Sequence, residues 1–154
     1  MKPHTTLRKL LVHPKDKYDL KENSGVVYRI PCKGCDQAYI GETARNLGYR
    51  LEENEKGVEN KMEVRYTRSQ RKTSEKEYNK SAITDHASQV NHVIDWRNTK
   101  IVAKESDTRK RQIKEAIWIR KENSPMNRDE GAYKLSHVYD TLLTTLPPGG
   151  AQLQ

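Results

Sequence analysis

Cys32 and Cys35 are the only cysteines in the chain, and they lie between two short runs of β-forming residues. VVYRI (26–30) and AYIGE (38–42) are β-branched and aromatic, which suits strands. The seven residues between them, PCKGCDQ, hold the proline and glycine of a wide hairpin turn. A thiol pair at that tip has three readings. It can close a tight disulfide ring. It can act as a redox dithiol, although such pairs usually open a helix whose dipole lowers the thiol pKa, and this one lies between strands. Or it is half of a zinc site that needs two more ligands. His86 and His92, with five residues between them, fall at the upper end of the usual histidine spacing. Cys32, Cys35, His86 and His92 would make a closed tetrahedron around a structural metal, with no position open for chemistry. Fifty residues separate the two halves, so this is no simple zinc finger. The plain alternative is two free thiols and two exposed histidines.

A structural metal suits the composition. Only 33% of the 154 residues are hydrophobic while 32% are charged, so one domain with a thin core is expected. The net charge of +8 and pI near 9.4 favour polyanionic partners, nucleic acid first among them. No stretch approaches the roughly 20 apolar residues that span a bilayer. The start, MKPHTTLRKLLVHPKDKYDLK, lacks the apolar centre of a secretory signal. A soluble protein of a reducing compartment, with no membrane partner, is expected.

Residues 1–24 read as a basic leader or linker, with one short helical turn around Leu7 to Val12. From Thr43 the pattern turns helical, with Leu47 and Leu51 on one face and Arg50 and Asn54 on the next. Residues 55–80 are polar and either extend that helix or form a mobile insertion. Ser81 reads as the N-cap of a helix over SAITDHASQV. Residues 93–103 fit a third strand with a bend near Asn98. Residues 106–122 fit a helix capped by Ser106 or Asp107, with Ile113, Ala116, Ile117 and Arg120 on one stripe. After a turn at Ser124-Pro125, residues 131–143 fit a last helix bearing Leu135, Val138, Tyr139 and Leu142. Residues 144–154 read as a flexible tail. The order predicts an α+β domain over 25–143: a small antiparallel three-stranded sheet flanked by helices, with the zinc site embedded in it.

VVYRI, then YIG at 39–41, then Gly41-x-Thr43-x-Arg45 and Arg50, resemble the GIY-YIG nuclease domain. Glu115 in KEAIWIRKE is similar to the metal-binding glutamate of that family, and Asn127 in MNRDEG to its late asparagine. The PCKGC insertion with SAITDHA and NH further on, and the final MNRDEGAYKLSHVYDTLL, resemble the endonuclease domain of Penelope-like retroelements, which carries a Cys-Cys-His-His zinc motif. The resemblance covers roughly residues 25–143. It implies a DNA endonuclease that nicks a target strand and leaves a 3′ end for a reverse transcriptase elsewhere in a longer polypeptide. It also implies one catalytic Mg²⁺ or Mn²⁺, a structural Zn²⁺ and a nuclear location.

The chemistry fits those residues. Phosphodiester hydrolysis needs a base for water and a cation for the phosphoryl charge. Tyr28 and Tyr39 on paired strands can face one site, and the resemblance implies that one of them is the base. We take Tyr39 as the base, with Tyr28 orienting water or phosphate. A phenol of pKa near 10 is a poor base at neutrality, so a neighbouring cation such as Arg50 and a bound Mg²⁺ are needed to favour the phenolate. Arg50 presents a planar fork to phosphate. Glu115 would hold the divalent ion, and Asn127 would support the site or contact phosphate. Singly, each has an ordinary alternative: tyrosines pack in sheets, arginines solvate helices, and Glu115 lies four residues after Arg111 as in a helix ion pair.

Two residues depart from the family pattern. Val26 replaces the first glycine of GIY, with Gly25 one place earlier. Asn54 stands where the family commonly has a histidine, four residues after the arginine, and it cannot titrate near neutrality. Either the nuclease is weakened, or a water or another group takes the histidine's place. The competing reading is a zinc-stabilised nucleic-acid-binding module without catalysis. In both, Arg45, Arg109, Lys110 and Arg111 are candidate nucleic-acid contacts, together with the charged stretch Lys61 to Lys80.

Overall fold

The computed structural model describes residues 19–63, 81–128 and 131–145. The elements run β1 (Val26–Pro31), β2 (Ala38–Thr43), α1 (Leu47–Glu63), α2 (Ala82–Val90), β3 (Lys100–Lys104), α3 (Thr108–Lys121) and α4 (Asp140–Thr145), with short 3-10 turns between some of them. The strands form one sheet in the order β2-β1-β3, both pairings antiparallel. The α+β class and the three-stranded antiparallel sheet are as the sequence predicts. The leader up to residue 18, residues 64–80 and the tail beyond 145 lie outside the described residues.

Alternation along β1 sorts the core into two layers. Val26, Tyr28 and Ile30 face α1 and α2, packing with Leu47, Leu51, Val58, Ile83 and Ala87, while Val27 faces the opposite side with Ile40 and Ile119 of α3. The sheet is therefore covered on both faces. Leu20, in a 3-10 turn over Leu20–Glu22, also packs against the first layer.

α1 begins four residues later than the pattern from Thr43 suggests. Thr43 belongs to β2 and its hydroxyl accepts from the Arg45 amide at 3.1 Å, while Asn46 Oδ1 accepts from the Gly48 amide at 2.9 Å and so opens the helix. The expected strand over 93–103 is split. Ile94 bridges to Cys32, Asn98 Nδ2 donates to Asp95 at 2.6 Å and closes a turn over Trp96–Asn98, and only Lys100–Lys104 joins the sheet.

Two helices differ from expectation in what they bury. α3 is capped by Asp107, which accepts from the Lys110 amide at 2.9 Å, but its buried face is Arg111, Glu115, Ala116 and Ile119, not Ile113, Ala116, Ile117 and Arg120. Two charged residues lie inward because Arg111 pairs with Glu42 of β2 and Glu115 lines a cleft beside that strand. The last helix is shorter than 131–143: a turn over His137–Tyr139 leads into α4, and Val138, Tyr139 and Leu142 are exposed. Arg120 anchors this segment through polar bonds, to the Asp140 carboxylate and, at 3.0 Å, to the Leu135 carbonyl.

Candidate functional site

The β1–β2 hairpin presents Cys32 and Cys35 to α2. His86 Nε2 lies 3.4 Å from Cys32 Sγ and 3.6 Å from Cys35 Sγ. One ligand atom from each of Cys32, Cys35, His86 and His92 falls within 4.8 Å of all the others. Bond lengths of about 2.3 Å to sulfur and about 2.0 Å to nitrogen place the S–N edge of a zinc tetrahedron at about 3.5 Å, so the two S–N separations match a site of that size. Local structure explains the meeting. Asn91 ends α2 in a left-handed conformation (φ 55°), which turns the chain back and brings His92 to the hairpin. Lys33 then donates its amide to the Val93 carbonyl at 2.9 Å. Gly34 leaves the room needed, since a Cβ there would meet His92 Cγ at 2.9 Å.

Two electronic features suit a metal. His92 Nδ1 is buried with no hydrogen-bond partner among the described residues, an orphan ring nitrogen that a cation would satisfy. Burial, and secondarily His92, hold the His86 imidazole below its usual range, in the neutral form that ligates. The four side chains can hold a metal ion, in keeping with structural zinc and with the set named from spacing.

A second site lies beside β2. A cleft of about 400 Å³ is lined by Tyr39, Glu42, Arg50, Ala82, Glu115, Asn127, Arg128, Gly131 and Ala132. Tyr28 and Tyr39 share one face of the sheet as diagonal neighbours, because Tyr28 pairs with Gly41 and Ile30 with Tyr39. Their ring centroids are 6.4 Å apart. Tyr28 is fully buried and its hydroxyl satisfies no hydrogen-bond geometry, although Arg50 and Asn54 face it. Desolvation, and then the neighbouring Tyr39, push the Tyr28 phenol far above its ordinary value. Burial also raises Tyr39, while the Ser81 hydroxyl and Arg50 oppose the rise and Glu115 adds to it. Tyr39, not Tyr28, opens onto the cleft.

Arg50 reaches the cleft from α1 and also donates to Glu53 at 3.2 Å. The sequence places Asn54 on the face beside Leu51; it instead joins the buried stripe of Leu47, Leu51 and Val58, with its Nδ2 unpartnered among the described residues. A buried amide in an apolar stripe costs stability unless something bonds it. Glu115 is 8% exposed and lines the cleft.

Asn127 plays a part that spacing could not reveal. Its Oδ1 accepts from the Ile40 amide at 3.0 Å and its Nδ2 donates to the Ile40 carbonyl at 2.8 Å. With the Ala38 and Met126 backbone bonds, it extends a short parallel pairing along the outer edge of β2. The side chain stands in for a strand and fixes the residue next to Tyr39.

Of the four candidate nucleic-acid contacts, Arg109 and Lys110 are exposed. Arg45 is exposed and donates to Glu53 at 2.9 Å. Arg111 is corrected: it is 1% exposed, paired with Glu42 and bonded to the Glu105 and Ser106 carbonyls at 3.2 Å each. It cannot reach a phosphate without breaking a buried ion pair. Lys61 to Lys80 lie outside the residues whose side chains are described. Sequence reasoning missed Glu42 and Arg128, the latter paired with Asp85 of α2. Glu42 directly follows YIG, which was its one signal; Arg128 had none.

No described helix is long and apolar enough to cross a membrane. No protein-family model, no curated protein and no solved structure matches the chain.

Proposed function

We propose that this chain is a metal-dependent DNA endonuclease domain of the GIY-YIG type, of the kind found in Penelope-like retroelements. The observation that carries this reading is convergence. Tyr39 from β2, Arg50 from α1, Glu115 from α3 and Asn127 from the segment after it line one cleft, although they are spread over most of the described chain. Tyrosines, arginines and a glutamate each have ordinary uses, but those uses give no reason for all of them to meet.

In this reading DNA enters along the β2 edge and Arg50 binds a phosphoryl oxygen, stabilising the charge that builds there. Tyr39, as phenolate, takes a proton from the attacking water. The water oxygen bonds to phosphorus, the bond to the 3′ oxygen breaks, and that oxygen takes a proton from solvent because Asn54 has none to give. Glu115 would hold a divalent ion, Mg²⁺ or Mn²⁺, which when bound would supply Lewis-acid polarisation of the phosphoryl group. Asn127 keeps β2 in register beneath Tyr39. The product 3′-hydroxyl is the end that a reverse transcriptase portion of a longer polypeptide would extend, in the nucleus. Zn²⁺ at the four-ligand centre would staple the hairpin to α2.

One observation favours a second reading, a zinc-stabilised nucleic-acid-binding module without catalysis. Asn54 is buried beside Tyr28 where a titratable group would serve catalysis, and both lack partners. Nicking of supercoiled plasmid with Mg²⁺ or Mn²⁺ decides between them. The nuclease reading expects nicked circles from the wild-type chain and a loss of roughly a hundredfold or more in Glu115→Ala. DNA binding without nicking, in wild type and in Asn54→His alike, would leave only the binding module.

A further inference from the structure

Arg128 carries no signal of its own in the sequence, yet it lines the cleft with Tyr39, Arg50 and Glu115. Its guanidinium pairs with the Asp85 carboxylate of α2, and the Arg128 side chain keeps 43% of its exposure in that pair. An ion pair so open to water adds little stability, so tying α2 to the segment after α3 is a small part of what it does. Its larger effect is on Arg128 itself. A long cation left to wander loses rotamer freedom when a ligand orders it, and here that freedom is already restricted.

Both ends of the side chain are held. At its root, the preceding Asn127 clamps the Ile40 amide and carbonyl at 3.0 and 2.8 Å. At its tip, Asp85 belongs to a helix whose Ile83 and Ala87 sit in the core and whose His86 joins the four-ligand centre. A carboxylate in fork geometry engages two of the five N–H donors of a guanidinium, which leaves donors for a second acceptor. The charges of the cleft favour an anion there: Glu42 is matched by Arg111, so Arg50 and Arg128 are set against the Glu115 carboxylate among the described lining residues. The chain as a whole, at net +8, draws polyanions.

We propose that Arg128 is a nucleic-acid-binding residue: while Asp85 holds its guanidinium, the remaining donors take a backbone phosphate of DNA lying in the cleft, a second phosphate besides the one at Arg50. The proposal rests on the reading that the cleft receives DNA, and it holds with or without catalysis. Arg50 from α1 and Arg128 from the segment after α3 then grip the strand from two separate elements, with the planar fork that matches phosphate oxygens. Asp85 is a positioning residue, acting on DNA only through Arg128. It lies on the same helix turn as His86, so the metal centre and the grip on DNA share one support.

The test is binding of a short labelled DNA duplex by the full chain, read by fluorescence anisotropy between about 50 and 200 mM salt beside a melting curve, for wild type and three variants. Arg128→Gln should weaken binding roughly tenfold at the low end of that range, as the loss of a charge-assisted contact does, and should make the plot of log affinity against log salt shallower by about one. Arg128→Lys, which keeps the charge but not the fork, should hold the wild-type slope. Asp85→Asn, which breaks the pair but keeps the cation, should also hold that slope, and all three variants should melt within a few degrees of wild type. If Arg128→Gln binds with wild-type affinity and slope, Arg128 touches no phosphate and the proposal is overturned while the DNA reading stands. If Asp85→Asn flattens the slope as much as Arg128→Gln, the loss follows the pair and not the cation, which overturns it as well. A wild-type chain that does not bind the duplex removes the DNA reading itself, and the proposal with it.

Discussion

Gly41 sits across the hairpin from Tyr28, and a Cβ on it would come within 2.7 Å of both Cζ and the hydroxyl oxygen of that ring, and 2.8 Å of Tyr39 Cε1. The glycine of YIG is therefore the floor on which both tyrosines rest. Gly41→Ala should force the rings apart. Overpacking of this kind costs about 1–3 kcal/mol, or roughly 3–10 °C in thermal midpoint for a chain of this size. A wild-type melting curve for that variant would show that the rings yield freely, against the packing described.

Removing metal should loosen the hairpin from α2. Treatment with a zinc chelator, or Cys32→Ser, should lower the thermal midpoint by roughly 10 °C or more, since structural zinc contributes folding energy directly. Cobalt substitution should give the absorption bands of tetrahedral thiolate ligation. An unchanged melting curve after complete chelation would mean the four side chains meet for another reason.

The buried Asn54 amide faces Tyr28 with no partner of its own. On the nuclease reading, Asn54→His would set a titratable group beside that phenol. Nicking should rise about tenfold or more, with little change in DNA affinity. Equal nicking by the two chains would mean that solvent protonates the leaving group as well as a histidine does.

The pH dependence follows from burial. Tyr39 is raised chiefly by desolvation, so its phenolate is scarce at neutrality and grows about tenfold per pH unit below its pKa. On the nuclease reading, nicking should climb with pH from about 6.5 to 9 with a slope near one on a logarithmic plot. Tyr39→Phe should abolish the rate. A flat profile in wild type would rule out Tyr39 as the base.

Asn127→Asp keeps the acceptor for the Ile40 amide but sets a carboxylate oxygen against the Ile40 carbonyl. A loss of about 1–3 kcal/mol is expected, and hydrogen exchange should quicken at the Ile40 amide in particular. Protection equal to wild type would mean the clamp is dispensable.

The hairpin and the metal set were legible because each rests on residue type. β-branched runs mark strands, and few side chains ligate zinc, so Cys32, Cys35, His86 and His92 could be named from spacing. The inward face of α3 was not legible. A search for apolar periodicity passes over Arg111 and Glu115, which are buried because Glu42 and the cleft lie opposite. The bend near Asn98 was legible, but the strand was extended across it, because side-chain bonds from Asn98 to Asp95 and from Thr99 to the Trp96 carbonyl turn the bend into a full break. The role of Asn127 depends on an open strand edge that exists only once β2 has paired on its other side.

That last point bears on behaviour in concentrated solution. A sheet has two open borders, and an exposed border invites another chain to add a strand. Here β2 is closed off by Asn127 and its flanking backbone, while β3 carries exposed lysines, Lys100 and Lys104, near its two ends. One border is sealed by mimicry and the other guarded by charge. The same arrangement that holds a tyrosine over a cleft thus also keeps neighbouring molecules from stacking into a continuous sheet.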